Sequence, residues 1–265
     1  MSASGPIDDG LGTVRAALMD HLPKELIIAA YAQAGGAEIT SGKLASSQSS
    51  AALAANAFGF FLGSPDRAQR LVWPARLSGL GKASKVLLEA QMRFPWRAGR
   101  HPWLDAAAET ETALIGIESK RFEPFRDKKR VSFSTAYDRP VWGAAMGAYE
   151  RVRDGLREQQ AYLQLDAVQL VKHAFGLRTQ AEKQAKRPIL IYLFAEPAVL
   201  WNGRPLLAPD AAAHRGEIDA FAQAVKGAEV QFEALSYSEL LAAWGSSGDT
   251  ELASHAAAVS ERFGL

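Results

Sequence analysis

Glu118 and Lys120 stand two residues apart at the end of the otherwise apolar run ALIGIESK, with Glu123 just beyond in RFEPF. In a strand every second side chain shares a face, so the acid and the amine project together. If a turn between two strands centres on Glu111 and Thr112, Asp105 falls opposite Glu118, since the two positions are symmetric about that point. By the same parity Ile115 and Ile117 point to the other, buried face, while Gly116 leaves the site face open. The preceding strand adds Glu89 and Gln91 nearby.

Clustered carboxylates make an oxygen-rich site suited to Mg²⁺ or Mn²⁺, which take near-octahedral oxygen ligands and keep waters for a substrate to displace. The expected division of labour gives the ion to Asp105, Glu118, the backbone carbonyl of Ser119 and Glu89. Lys120 then orients a water or offsets charge on a phosphoryl transition state. Blander readings of the same residues are a surface salt bridge for Glu118 and Lys120 and a turn cap for Asp105.

These residues need elements to position them. KVLLEAQMRF alternates sharply, with Val86, Leu88, Ala90, Met92 and Phe94 expected on one face of a strand. PWRAGRHP then connects it to strands at 103–108 and 113–120, the last two forming a hairpin. Helices are expected at 24–34, 44–58, 141–160 and 161–175, the last capped by Gly176. RPILIYLFAEP reads as a buried strand at 189–195, followed by a helix at 210–226, a strand at 230–235 and one or two final helices. The opening MSASGPIDDGLG reads as a floppy start without signal-peptide character.

WLDAAAETETALIGIESK resembles the D, spacer, E-x-K core of the PD-(D/E)XK nuclease superfamily, with Asp105, Glu118 and Lys120 matching residue for residue. The order helix, three strands, helix, strand is similar to the αβββαβ core of that restriction-endonuclease-like fold. QLVK adds Gln169 and Lys172, where many members carry a Gln followed by Lys or Tyr, and i and i+3 share a helix face. Those two residues also fit the solvent stripe of an amphipathic helix, and His173 beside them reads as structural or surface. GKLASSQSSAALAANAFG, LDAVQLVKHAFGL and ILIYLFAEP look like a bacterial restriction-endonuclease-like branch of the superfamily. Two departures stand out. HPWLD lacks the usual Pro-Asp, and the first helix lacks its frequent Glu, so Glu89 or Glu123 would supply any third acid.

The fold class expected is therefore α/β, a mixed central sheet flanked by helices. One nuclease-like domain spans 1–265, with its core at about 43–197, N-terminal helices at 13–42 and a C-terminal αβα extension at 198–265. The resemblance implies a divalent-metal-dependent nuclease acting on nucleic acid, with DNA the implied polymer; a homodimer would suit cutting both strands. The alternative is a silent nuclease-like fold that binds nucleic acid or protein.

Charge and composition agree. From Arg67 to Arg130 there are 14 Lys and Arg against 7 Asp and Glu, whereas Leu190 to Leu265 holds 4 against 10, so the middle of the chain suits an anionic partner. The run RDKKR, 126–130, follows the motif strand and favours phosphate contact. Composition is that of a globular protein, 48% hydrophobic and 22% charged, and the absence of cysteine excludes thiolate chemistry and fits a reducing cytoplasm. No apolar stretch reaches the roughly 20 residues of a membrane helix. GGAEITSGKL misses the phosphate-binding P-loop, with Leu44 where Ser or Thr must hold magnesium. No H-E-x-x-H or G-x-S-x-G pattern is present.

Overall fold

The computed structural model describes residues 7–97, 99–159 and 161–265. Five helices precede the sheet: α1 Ile7–Ala17, α2 Lys24–Gln33, the short α3 Ala37–Thr40, α4 Ser50–Phe58 and the short α5 Pro65–Gln69. Three strands follow, β1 Lys85–Gln91, β2 Trp103–Glu109 and β3 Ala113–Lys120. Then come the single turn α6 Glu123–Arg126, α7 Gly147–Glu158, α8 Ala167–Lys183 and β4 Arg187–Phe194. The chain ends with α9 Ala208–Ala224, β5 Gln231–Ser236, α10 Tyr237–Gly245 and α11 Thr250–Phe263. The strands form one mixed sheet in the order β1-β2-β3-β4-β5; β1, β2 and β3 are antiparallel, and β4 and β5 run parallel to β3.

The hairpin register follows from its turn. The Thr110 N–H donates to the Ala113 carbonyl, the Ala113 N–H donates to the Thr110 hydroxyl at 2.9 Å, and Ala106, Ala107 and Ala108 then pair with Ile117, Gly116 and Ile115. Helices cover β3 on both sides, which is why its sequence is a nearly continuous apolar run. One core joins Ile115, Ile117, Ile189 and Ile191 to α4, α10 and α11; the other joins Leu114, Leu190 and Tyr192 to α7, α8 and α9. Each such buried side chain contributes about 2 kcal/mol, so the two central strands form a stiff platform under the site.

Several expectations are corrected. The segment MSASGPIDDGLG is not wholly unstructured, because α1 begins at Ile7; residues 1–6 lie outside the described residues. The helix expected from 44 starts only at Ser50, where the Ser49 hydroxyl caps it by accepting the Ala51 N–H. The helix expected over 141–160 is α7, Gly147–Glu158, with the predicted terminus Gln160 outside the described residues. Gly176 caps nothing. It lies within α8, where a Cβ would meet Met92 and its carbonyl oxygen at 2.8 Å, so its missing side chain lets helix and sheet touch. Among the described residues no helix is long and apolar enough to cross a membrane.

Candidate active site

The site forms where strand alternation fails. β1 and β2 pair at Leu88 with Ala106 and again at Ala90 with Leu104, but the intervening Glu89 and Asp105 make no ladder pair. Glu89 has φ +47°, a left-handed conformation that costs a non-glycine residue on the order of 1 kcal/mol. Val86 and Leu88 consequently pack into the α4 side of the sheet, whereas Ala90, Met92 and Phe94 pack into the α8 side. The single face expected for those five residues is therefore split at Glu89. On β2 the same reversal separates Leu104 from Ala106 and Ala108, with Asp105 at the seam.

Continued by one pair, the hairpin register sets Asp105 opposite Glu118, as the turn symmetry requires. Asp105 Oδ2 accepts the backbone N–H of Ser119 at 2.7 Å, next to Glu118. The Ser119 hydroxyl turns to the other face and meets the Tyr237 hydroxyl at 2.7 Å. Lys120 Nζ donates to Glu118 Oε1 at 2.6 Å and to Gln169 Oε1 at 2.8 Å. Gln169 sits in the first turn of α8, which Asp166 caps by accepting the Gln169 N–H. One turn later His173 Nε2 lies 2.9 Å from Glu118 Oε2, close enough for a charge contact although not aligned as a directed hydrogen bond.

Asp105, Glu118, Lys120, Gln169 and Glu89 line one cleft of about 570 Å³. Glu123 edges it from α6, its carboxylate accepting the Arg121 N–H. Lys172 does not line the cleft; its ammonium lies over the rings of Phe133 and Tyr137. Two participants escaped the sequence reading. His173 is buried against Glu118, and the i, i+4 spacing from Gln169 was the signal available for it. Glu38 reaches the cleft from α3, in the segment dismissed as a failed P-loop, where Gly36 and Gly42 take left-handed turns. Its Oε2 is buried without a hydrogen-bond partner and its Oε1 is 3.5 Å from Lys43. Only the fold brings this acid into range.

The electrostatics divide the acids. Burial pushes Glu118 up, but Lys120 and His173 outweigh it and hold the carboxylate down at about 2. Burial and then the Glu118 charge push Asp105 well above the usual carboxylate range; the Lys120 charge and the Ser119 N–H oppose this only partly. Asp105 keeps some exposure through the cleft mouth, yet protein encloses it on its other sides. Burial, Glu38 and Glu118 raise Glu89 to about 7. For Lys120 burial disfavours the charge, but Glu118 and Asp105 prevail and keep it an ammonium. Acids thus outnumber the cleft's inner cation, a donor set of oxygens that gains from a divalent ion. Among the described residues no three His, Asp or Glu side chains already stand in coordinating geometry, so an ion would have to draw them together.

The protein is thus of the α/β class, a five-stranded mixed sheet flanked by helices, with Asp105, Glu118 and Lys120 lining one cleft at its end. The model of the family described as "Restriction Endonuclease associating with ARP" matches residues 21–264, and the chain belongs to that family. No curated protein and no solved structure matches it.

Proposed function

We propose that the protein is a divalent-metal-dependent nuclease of the PD-(D/E)XK type that hydrolyses phosphodiester bonds in nucleic acid, with DNA as the substrate. The observation that carries this reading is the convergence of Asp105, Glu118 and Lys120 in one cleft, with Gln169 on the lysine. Family membership supports nuclease chemistry, and the succession α4, β1–β3, α8, β4 supports an αβββαβ core.

Asp105, Glu118, the Ser119 carbonyl and Glu89 would hold Mg²⁺ or Mn²⁺; Glu38 lines the same cleft, and its charge acts on Glu89. The ion would polarise a phosphoryl oxygen and acidify a water. Lys120, fixed between Glu118 and Gln169 and kept charged, stabilises negative charge as it builds on the phosphorus oxygens. Gln169 fixes the direction of the lysine, and His173 holds the second oxygen of Glu118. Arg126 at the cleft edge and the basic residues Lys128, Lys129 and Arg130 after it would take neighbouring phosphates.

A second reading, a binding module without cleavage, has one observation in its favour: both oxygens of Glu118 are already occupied, by Lys120 and His173. Incubation of plasmid and single-stranded DNA with Mn²⁺ separates the two. Cleavage by the wild type that disappears in Lys120→Ala supports the nuclease. Cleavage that survives this change removes the role given to the lysine, and a wild type that binds but never cuts favours the module.

A further inference from the structure

The loop between β1 and β2 leaves the sheet at the end that carries the site, since Gln91 and Trp103 close the ladder two residues from Glu89 and Asp105. From Ala90 to Leu104 the sequence contains no acid, while Arg93, Arg97 and Arg100 are all exposed. The loop is built rather than loose. Met92 and Phe94 are buried, the Met92 N–H bonds to the Pro102 carbonyl at 2.8 Å, and the Phe94 N–H is received by His101 Nδ1 at 3.1 Å. Trp96 packs between Phe94 and Trp142, and the guanidinium of Arg139 lies 4.6 Å over its ring. Among the described residues only Arg93 of this group has a side-chain hydrogen bond, to the neutral Gln91. Arg139 on the Trp96 ring and the three exposed arginines of the loop, with no carboxylate bound to them among the described residues, make a segment with uncompensated positive charge.

We propose that this patch is a docking arm for the phosphate backbone of a polynucleotide, at the same end of the sheet as the RDKKR segment that follows β3. Arg97, Arg100 and Arg139 receive phosphates several nucleotides from the bond held at Asp105 and Glu118; Trp96 and Phe94 keep the arm in shape. The inference rests on the nuclease reading and extends it to a second contact outside the cleft. Two basic segments flanking the strand ends suit a backbone that crosses the sheet end, and the binding mode is electrostatic and independent of base sequence.

The test measures binding of a labelled 30-mer, duplex and single-stranded, by fluorescence anisotropy in EDTA across a salt series, with wild type and Arg97→Ala/Arg100→Ala. These side chains are exposed, and a matching thermal melt verifies the fold of the variant. Loss of two phosphate contacts lowers the magnitude of the slope of log K against log salt by about 1.8 on duplex or about 1.4 on single strand, with affinity down about tenfold at moderate salt. Whichever substrate shows the change identifies the form of nucleic acid the arm holds. A wild type that binds DNA and a variant with unchanged slope and affinity overturn the arm while leaving the nuclease reading intact. Binding with the expected slope change but without cleavage in Mn²⁺ supports the arm and defeats the nuclease reading. A wild type that ignores both DNA forms but binds polyglutamate overturns the arm in favour of an acidic protein partner.

Discussion

Asp105 uses its carboxylate to receive the backbone N–H of Ser119 just past the last β2–β3 pair, so one acid both closes the strand seam and faces the cleft. Asp105→Asn keeps an oxygen acceptor for that N–H and replaces a carboxyl whose ionised form burial and the Glu118 charge disfavour. Its thermal stability near neutral pH should equal or exceed wild type, with Mn²⁺ affinity reduced at least about tenfold, or about 1.4 kcal/mol. Asp105→Ala leaves the amide unmet and should cost about 1–3 kcal/mol. Equal melting temperatures for the two variants would remove the structural half of this double role.

Lys120 neutralises a carboxylate that is 2% exposed. Lys120→Met strands that charge and should destabilise the fold by on the order of 3 kcal/mol in urea unfolding. Adding Glu118→Gln should recover much of the loss, because no buried charge then lacks its partner. Strictly additive effects would mean that the two side chains are not coupled.

The acids predict opposite pH dependences. Glu89, raised to about 7 from 4.5, favours its protonated form in the fold, so its contribution to stability is complete below about pH 4.5 and falls away as pH rises through 7. Glu118, lowered to about 2, contributes above its ordinary range and loses that contribution as pH falls through 2. The metal-free protein should therefore melt at a lower temperature at pH 8 than at pH 5.5, and Glu89→Gln should shrink the difference. Glu38→Gln should act in the same direction, since the Glu38 charge helps to raise Glu89. A Glu89→Gln protein with the wild-type pH profile would contradict the assignment.

Two glycines seat α8 against the sheet. A Cβ at Gly116 would collide with Leu104 and approach Leu177 to 3.2 Å, and one at Gly176 would reach the Met92 carbonyl oxygen at 2.8 Å. Gly116→Ala and Gly176→Ala should each cost about 1–3 kcal/mol through overpacking, although alanine is by itself the better helix former at 176. Gly176→Ala should also weaken Mn²⁺ binding, because α8 carries Gln169 and His173. A rise in melting temperature for that variant would mean the helix moves freely.

Much of this was legible from residue types and spacing. Turn symmetry about Glu111 and Thr112 placed Asp105 opposite Glu118, but the open site face expected beside Gly116 is instead covered by Leu104 and Leu177, so β3 is buried on both faces. What failed was strict alternation. Val86 through Phe94 read as one face, but the left-handed Glu89 divides them, a backbone reversal that a hydrophobic pattern does not encode. Gly176 read as a helix stop, because a glycine that permits close approach and one that ends a helix look alike until the opposing Met92 is known. Glu38 was invisible as a site residue because tertiary folding alone carries α3 to the cleft. The shared helix face expected for Gln169 and Lys172 did not hold: Gln169 turns into the cleft and receives Lys120, a contact the spacing did not specify, while the helix rotation sends Lys172 to Phe133 and brings His173 inward.

The most direct measurement is a calorimetric titration of Mn²⁺ into the wild type and Asp105→Ala at pH 7.5, run in two buffers of different ionisation enthalpy. Raised acids must shed protons to hold an ion, so the wild type should bind with proton release and the variant should not bind. No heat from the wild type, or unaltered binding by Asp105→Ala, would contradict the metal site on which the proposed hydrolysis depends.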